Sequence, residues 1–495
     1  MTDATVETRS GRLRGQALPG VRVWRGIPYA SPPIGALRFR APVPATPWAG
    51  VRDATEFGPI CPQPSLAGRA PIEPMDEDCL YLNVWAPASG AARRPVMVFI
   101  HAGAYYVGSG SNPRFDGARL SAAGDVVVVT INYRLGPLGF LDPSGLHGSA
   151  GRFETNLGLR DQIAALRWVA DNIGAFGGDP GNITLFGQSA GGGSVACLVA
   201  SPLSEGLFHA AIIQSGPIDG VFDGPQAAQV AEGFFAQLEW PDLTFDDLLT
   251  IPADVLQAAA DRLVSMMTSV LPGHTAFQPM IDGEVLLDRP TQSILAGHGR
   301  PVPLIIGSNE DEGSLFVMPG LPPMVPSIEP NLSDFMDAAY PGRAPGIRAA
   351  YAGHGRFGET IAMAGDGMVW KPSLGFADAV ADHCPVYVYR FRWTSPPLMT
   401  MGLGSPHSID VPFVFGVFEG GLVSVDGDAS ASSLSEMMQT AWTRFAHDHV
   451  PGCVGDILWP AYQPPRRATM ILDRTIAVEG DPDETRRLSW SDEGG

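Results

Sequence analysis

The chain has few cysteines for its length: five in 495 residues, an odd number with no CxxC pair. That is too sparse for a disulfide scaffold, and a thiolate metal site lacks its spacing. Lysine and arginine together number 32 against 52 acidic residues, a net charge of −20, and they never cluster. Nucleic acid and anionic membrane surfaces are therefore not expected as partners, and the acidity reads as a solubility feature. No run of about 18 apolar residues occurs, so no membrane anchor is expected. The start lacks a basic stretch followed by an apolar one, so no secretory leader is expected and a cytoplasmic location is. Charged residues make up only 17%, below the usual ~25%, while 45% of the chain is hydrophobic. A large core is expected, with fraying only at "MTDATVETRS" and "SDEGG". Neither repeat nor linker interrupts the chain, which predicts one domain over 1–495; the oligomeric state is not set by the sequence, with a monomer slightly favoured.

Apolar, β-branched runs recur at "PVMVFI", "DVVVVTINY", "NITLFG", "HAAIIQSG", "VPLIIGS" and "CPVYVYRFRW". Continuous apolar strands suit a sheet covered on both faces. Between them lie helical patterns: Leu159, Ile163, Leu166, Val169 and Ile173 fall at helical spacing, and "AGGGSVACLVAS" and "LSEMMQTAWTRFAHDHV" follow. Alternation of this kind predicts an α/β fold with a large, mostly parallel sheet. The first 90 residues, with "RGQALPGVRVWRGIPYA" and "EDCLYLNVWAP", predict an antiparallel extension of that sheet. A helical excursion is expected at about 220–275, and cap loops at about 61–78 and 316–330.

One segment carries chemistry. In "NITLFGQSAGGGS" an apolar strand runs into Gly187-Gln188-Ser189-Ala190-Gly191 and then a small-residue helix. G-x-S-x-G in this setting places a serine on a sharp strand-to-helix turn, with glycines leaving room for the strained backbone. A serine hydroxyl needs a base, and the base needs an orienting acid. In chain order the acid is expected next, after "VPLIIGS", where Glu310, Asp311 and Glu312 compete. The histidine comes last, among His354, His383, His407, His447 and His449. His407 follows a strand through a loop and so reaches the right edge. His447 and His449 are two apart and cannot share a helical face, which argues against a metal pair.

"GIPYASPPIGALRFRAP", "EDCLYLNVWAP", "INYRLGPLGFL", "NLGLRDQIAALRWVADNIGAFGGDPGNITLFGQSAGG", "QSG" and "WPAYQPPRRATMILD" stand in this order along nearly the whole chain. Together they resemble the type-B carboxylesterases, the cholinesterase-like branch of the α/β-hydrolases that includes bacterial carboxylesterases. The resemblance implies hydrolysis of small carboxylic esters through an acyl-enzyme, without cofactor or metal. It implies Ser189 as nucleophile, Glu312 (before the glycine of "DEG") as acid and His407 (opening "HSIDVPFVFG") as base. Backbone N–H groups of Gly103, Ala104 and Ala190 would form the oxyanion hole, with Gln188, Asp410 and Ser215 beside the triad. Cys61 and Cys79 would pair, for about 3 kcal/mol, against the reducing tendency of a cytosol. A lipase or a carbamate or amide hydrolase on the same triad is the alternative reading, and a non-catalytic binding protein is disfavoured because all three residues are present.

The departures from the family pattern are informative. Gln188 stands where Glu is frequent, Ser408 where Gly is usual and Asp410 where Glu is usual, which predicts less preference for choline-like esters. The H-G-G-G-F-like stretch reads "HAGAY". Alanine avoids φ > 0, so Ala102 and Ala104 are expected at negative φ, with the Gly103 and Ala104 amides facing Ser189. Tyr105, Tyr106, Phe316, Met318 and Met266 (beside Met267) are candidate pocket residues for broad, short-to-medium acyl or aryl esters.

Overall fold

The structure is a computed structural model that describes residues 4–65, 73–89, 93–271, 274–318, 331–419 and 428–491. Parts of both expected cap loops, 66–72 and 319–330, lie outside the described residues.

Among the described residues, eleven strands form one sheet. In chain order they are β1 (Gln16–Leu18), β2 (Val21–Pro28), β3 (Tyr81–Pro87), β4 (Arg94–Ile100), β5 (Val127–Ile131), β6 (Gly178–Gln188), β7 (Ala210–Gln214), β8 (Leu304–Asn309), β9 (Val386–Phe391), β10 (Ala468–Leu472) and β11 (Ala477–Gly480). Their spatial order is β11-β10-β9-β8-β7-β6-β4-β5-β3-β2-β1. From β5 to β10 the neighbours are parallel. The N-terminal strands β1 to β3 pair antiparallel, as the turn-rich start of the sequence predicts, and so does β11 at the other edge.

The period-2 alternation of a strand sends neighbouring side chains to opposite faces. In β4, Val96, Val98 and Ile100 enter one core and Met97 and Phe99 the other. β7 divides Ala211 and Ile213 from Ala210 and Ile212 in the same way. On the first face sits helix α1 (Leu157–Asn172), burying Leu159, Ile163, Leu166 and Val169, with Ile173 buried just past its end. Helix α2 (Ala190–Ala200) lies on the same face. The opposite face is covered by the late helix Ala429–Asp448, through Leu434, Met438, Trp442 and Phe445.

The helical excursion contains helices at Gly224–Leu238, Phe245–Thr250 and Ala253–Val270. The first begins in a capping box in which Asp223 and Gln226 each accept from the other's backbone N–H, at 2.9 and 3.0 Å. Such caps satisfy N–H groups that have no partner within the helix. Among the described residues no helix is long and apolar enough to cross a membrane.

Candidate active site

β6 delivers Gln188 to its C-terminal end, and the next residue, Ser189, has φ 57° and ψ −126°. That left-handed backbone turns the chain from strand to helix within one residue. A Cβ on Gly187 would lie 2.4 Å from the Gly191 carbonyl oxygen, and one on Gly191 only 2.0 Å from that of Ile100. The two glycines of G-x-S-x-G are thus required by close backbone approach. The Ser189 N–H donates to the Gln214 carbonyl at 2.9 Å, and its own carbonyl accepts from Gly193 at 2.8 Å, which fixes the turn.

The acidic loop after β8 separates its three carboxylates by environment. Glu310 lies against Arg390 at 3.0 Å, Arg392 at 3.2 Å and Arg486 at 3.7 Å. Burial alone would raise its carboxyl, but these arginines outweigh it and hold the group down at about 2. Asp311 accepts from the Ser405 N–H at 2.9 Å. Glu312 turns inward, taking the Asn309 N–H on Oε1 at 2.6 Å and meeting His407 Nδ1 with Oε2 at 2.5 Å.

The depressed value of Glu310 carries a pH signature. Its folded value lies below the ordinary 4.5. Its contribution to stability is therefore fully present above pH ~4.5 and is lost as pH falls toward ~2. Glu310→Gln is expected to flatten that part of the acid-unfolding curve, read as urea midpoints of both proteins between pH 6 and 2.

Of the five candidate histidines, His407 is the one that borders the same cavity as Ser189. His354 contacts the Ala352 carbonyl, His447 that of Gly124, and His449 the Asn182 side chain, and none of these borders the cavity. His383 begins the approach to β9 at the opposite end of the sheet. Phe316 packs on the His407 ring with centroids 4.9 Å apart. Around the ring lies a polar shell. Gln188 Nε2 is 3.3 Å from His407 Nε2, and Gln188 Oε1 accepts from Ser408 Oγ at 2.9 Å. Asp410 accepts from Gln214 at 2.7 Å and from the Tyr389 hydroxyl at 2.8 Å. Burial pushes the Asp410 carboxyl up, and these two hydrogen bonds pull it back. Ser215, with φ 49°, is fully buried on the cavity wall.

The glycine-poor loop departs from expectation at one residue. Ala102 keeps a negative φ, but Ala104 has φ 53° and Tyr105 φ 58°. The Gly103 carbonyl accepts from Tyr106 and Val107, both at 2.9 Å, and the Tyr105 carbonyl from Gly136 at 2.8 Å. Two successive positive φ values closed by an i to i+3 bond are the signs of a type I′ turn. Those hydrogen bonds, with the Tyr105 ring on Phe140 at 4.8 Å, offset a cost of about 1–2 kcal/mol per left-handed residue. Among the described residues the amides of Gly103, Ala104 and Ala190 donate to no protein group. His101 underlies the loop, stacked on Tyr133, with its Nδ1 2.8 Å from the Ala102 carbonyl. Burial pushes its ring down to about 4.

The cavity has a volume of about 530 Å³. Ala104, Tyr105, Ser189, Ala190, Phe316 and His407 border it. Three expected pocket residues do not. Tyr106 turns away to hydrogen-bond Asp261 and Gln257 and stacks on Phe277. Met318 packs on the opposite core. Met266 is 47% exposed, while Met267, one position on, is 2% exposed and buried in its place. The far wall comes from Phe335, Tyr340, Met368, Val369 and Trp490, which no motif signals. His274, also on the wall, is held by Gln278 at 2.9 Å, and burial pushes its ring down to about 4. Cys61 and Cys79 are free thiols, not a disulfide. Both are buried; Cys61 Sγ accepts the Leu135 N–H at 3.3 Å, and its hydrogen bond to Cys79 leads burial in pushing that thiol up.

A sheet of this order, with a strained serine where its central strand meets a helix, defines an α/β-hydrolase. Residues 2–338 and 354–489 match the profile described as the Carboxylesterase family, and the chain belongs to that family. It is 39% identical to the para-nitrobenzyl esterase of Bacillus subtilis (strain 168), with 98% of each chain covered. It is 35% identical to the phenmedipham hydrolase of Pseudarthrobacter oxydans, over 95% of each. Among solved structures, a PNB esterase superposes with a TM-score of 0.87 at 39% identity, covering 99% of this chain and 100% of that one. A Geobacillus stearothermophilus carboxylesterase gives 0.84 at 36%, covering 98% and 100%. The chain is a carboxylic ester hydrolase.

Proposed function

We propose that Ser189, His407 and Glu312 hydrolyse neutral esters of short-to-medium acyl or aryl acids. The observation that carries this is the placement of His407, bonded to Glu312 and sharing one cavity with the strained Ser189. Ser189 Oγ attacks the ester carbonyl carbon while its proton passes to His407 Nε2. Glu312 holds the Nδ1 proton and stabilises the imidazolium. The carbonyl electron pair moves onto oxygen, met by the unpartnered amides of Gly103, Ala104 and Ala190, each such donor being worth roughly 10²–10³ in rate. His407 then returns the proton to the leaving alcohol. Water attacks the acyl-enzyme with His407 again as base, releasing the acid and restoring Ser189.

The cavity size suits a small organic ester. Gln188 in place of a carboxylate, an Asp410 engaged by Gln214 and Tyr389, and an Asp219 on the wall held by Thr291 argue against a strong draw on a quaternary ammonium. The likeness to a phenmedipham hydrolase supports carbamates as secondary substrates. A panel of p-nitrophenyl esters of rising chain length, with benzoate, carbamate, anilide and choline-ester arms, tests both readings. Turnover is expected to be highest on short-to-medium and aryl esters, with the carbamate slower. A strong choline preference, or an anilide faster than its matched ester, would sink the assignment.

A further inference from the structure

His407 Nε2 has a partner in the free enzyme, and that partner is not the serine. Among the described residues no hydrogen bond joins Ser189 Oγ to the ring, whereas the Gln188 side-chain nitrogen lies 3.3 Å from Nε2. An amide NH₂ only donates, so the nitrogen it faces must offer a lone pair. Ser408 engages the other end of the amide, its hydroxyl donating to Gln188 Oε1 at 2.9 Å. Ser408 itself sits at φ 70°, a conformation more natural to glycine, and its side chain reaches Gln188 from there. On the other side Glu312 takes Nδ1. Between an amide donor and a carboxylate, the ring presents its lone pair at Nε2 and its N–H at Nδ1.

We propose that Gln188 is a positioning residue: its amide, aimed by Ser408, holds the His407 Nε2 lone pair in the free enzyme and yields it to Ser189 Oγ–H when substrate enters. This rests on the triad assigned above and deepens it. A glutamate at 188 would do the reverse. Its carboxylate would accept from an Nε2–H and stabilise the protonated ring, which cannot act as base. Gln188 with Ser408 therefore favours the arrangement in which the Nε2 lone pair can take the serine proton. The other titratable groups near the ring are Glu312, Asp410 and, through Asp410, Tyr389. Across the cavity stand His274, Asp219, Arg289 and Lys371. None of them is altered by exchanging residue 188 or 408, so they form a constant background.

The test is the pH dependence of kcat/KM on a soluble p-nitrophenyl ester for wild type, Gln188→Glu and Ser408→Gly. Glycine suits the backbone at 408, and thermal midpoints confirm that both variants fold. Gln188→Glu is expected to move the acidic limb upward by about one pH unit, as an opposite charge within ~4–6 Å does, with about tenfold lower kcat/KM at pH 5.5. Ser408→Gly frees the amide to rotate and should move the limb upward by less. Superimposed profiles for all three proteins would overturn the proposal. A downward shift in Ser408→Gly would overturn it too, since the amide would then face the ring with its oxygen. Either failure leaves the triad standing if Ser189→Ala is inactive; an active Ser189→Ala would remove the triad and this inference together.

Discussion

Ser189→Ala is expected to lower kcat by about 10⁶-fold, the loss seen when the nucleophile of such a triad is removed, while leaving the fold intact. The stability side follows from the turn. The bonds that hold it run through the Ser189 N–H and carbonyl, which alanine retains. Alanine at φ 57° meets the same backbone penalty as serine. The thermal midpoint should therefore stay within a degree or two of wild type, and the p-nitrophenyl ester assay should fall to near background. A variant that kept a tenth of wild-type turnover would show that the nucleophile lies elsewhere. A variant that unfolded would show that the hydroxyl, for which the described structure records no hydrogen bond, has a structural role after all.

The largest stability effect is expected at Asp161→Ala. Asp161 sits inside α1, fully buried, and accepts three bonds from Arg134: the backbone N–H at 3.0 Å, Nε at 2.8 Å and Nη2 at 2.7 Å. Arg134 is equally buried, and its remaining Nη1 donates to the Arg40 carbonyl at 2.9 Å. Alanine would leave a guanidinium in the core with one carbonyl for company. Removing one partner of such a pair costs about 3–5 kcal/mol, because the other charge is left uncompensated. The urea midpoint should drop accordingly with an unchanged slope. The double variant Asp161→Leu/Arg134→Met should recover much of the loss, since an apolar pair of similar volume carries no stranded charge. Activity should fall with the single variant as well. Arg134 lies two residues before Gly136, whose N–H holds the Tyr105 carbonyl and with it the turn of Ala104. An undiminished midpoint would mean that water reaches Arg134.

What could be read from the sequence was what local pattern determines. The continuous apolar runs of a sheet covered on both faces and the helical spacing of α1 follow from local pattern, and both matched the structure. Gly187 and Gly191 announced a close approach that the structure contains. Three consecutive carboxylates at 310–312 gave no local basis for choice. The decision lies with Arg390, Arg392 and Arg486, which neutralise Glu310 from distant parts of the chain. Ala104 was misjudged for the same reason. Alanine's aversion to positive φ is a local rule, and it yielded to hydrogen bonds closed by Gly103 and Gly136. Met266 faces solvent and Met267 the core, and neither borders the cavity, since a helix rotates about 100° per position and composition does not set its phase. The wall residues Phe335, Met368 and Trp490 meet only in space.

The order of the strands also says when this chain becomes an enzyme. Glu312 and His407 stand 95 residues apart, and Gln188 and His407 are separated by 219. Ser189 follows β6, Glu312 follows β8 and His407 follows β9, so no two of them share a hairpin or a local turn. Each parallel pairing between β6 and β9 must close a long loop before its contacts stabilise anything, and such topologies form late. During refolding, recovered turnover therefore reports the last consolidation of the sheet and not its collapse, and secondary structure should return before activity does.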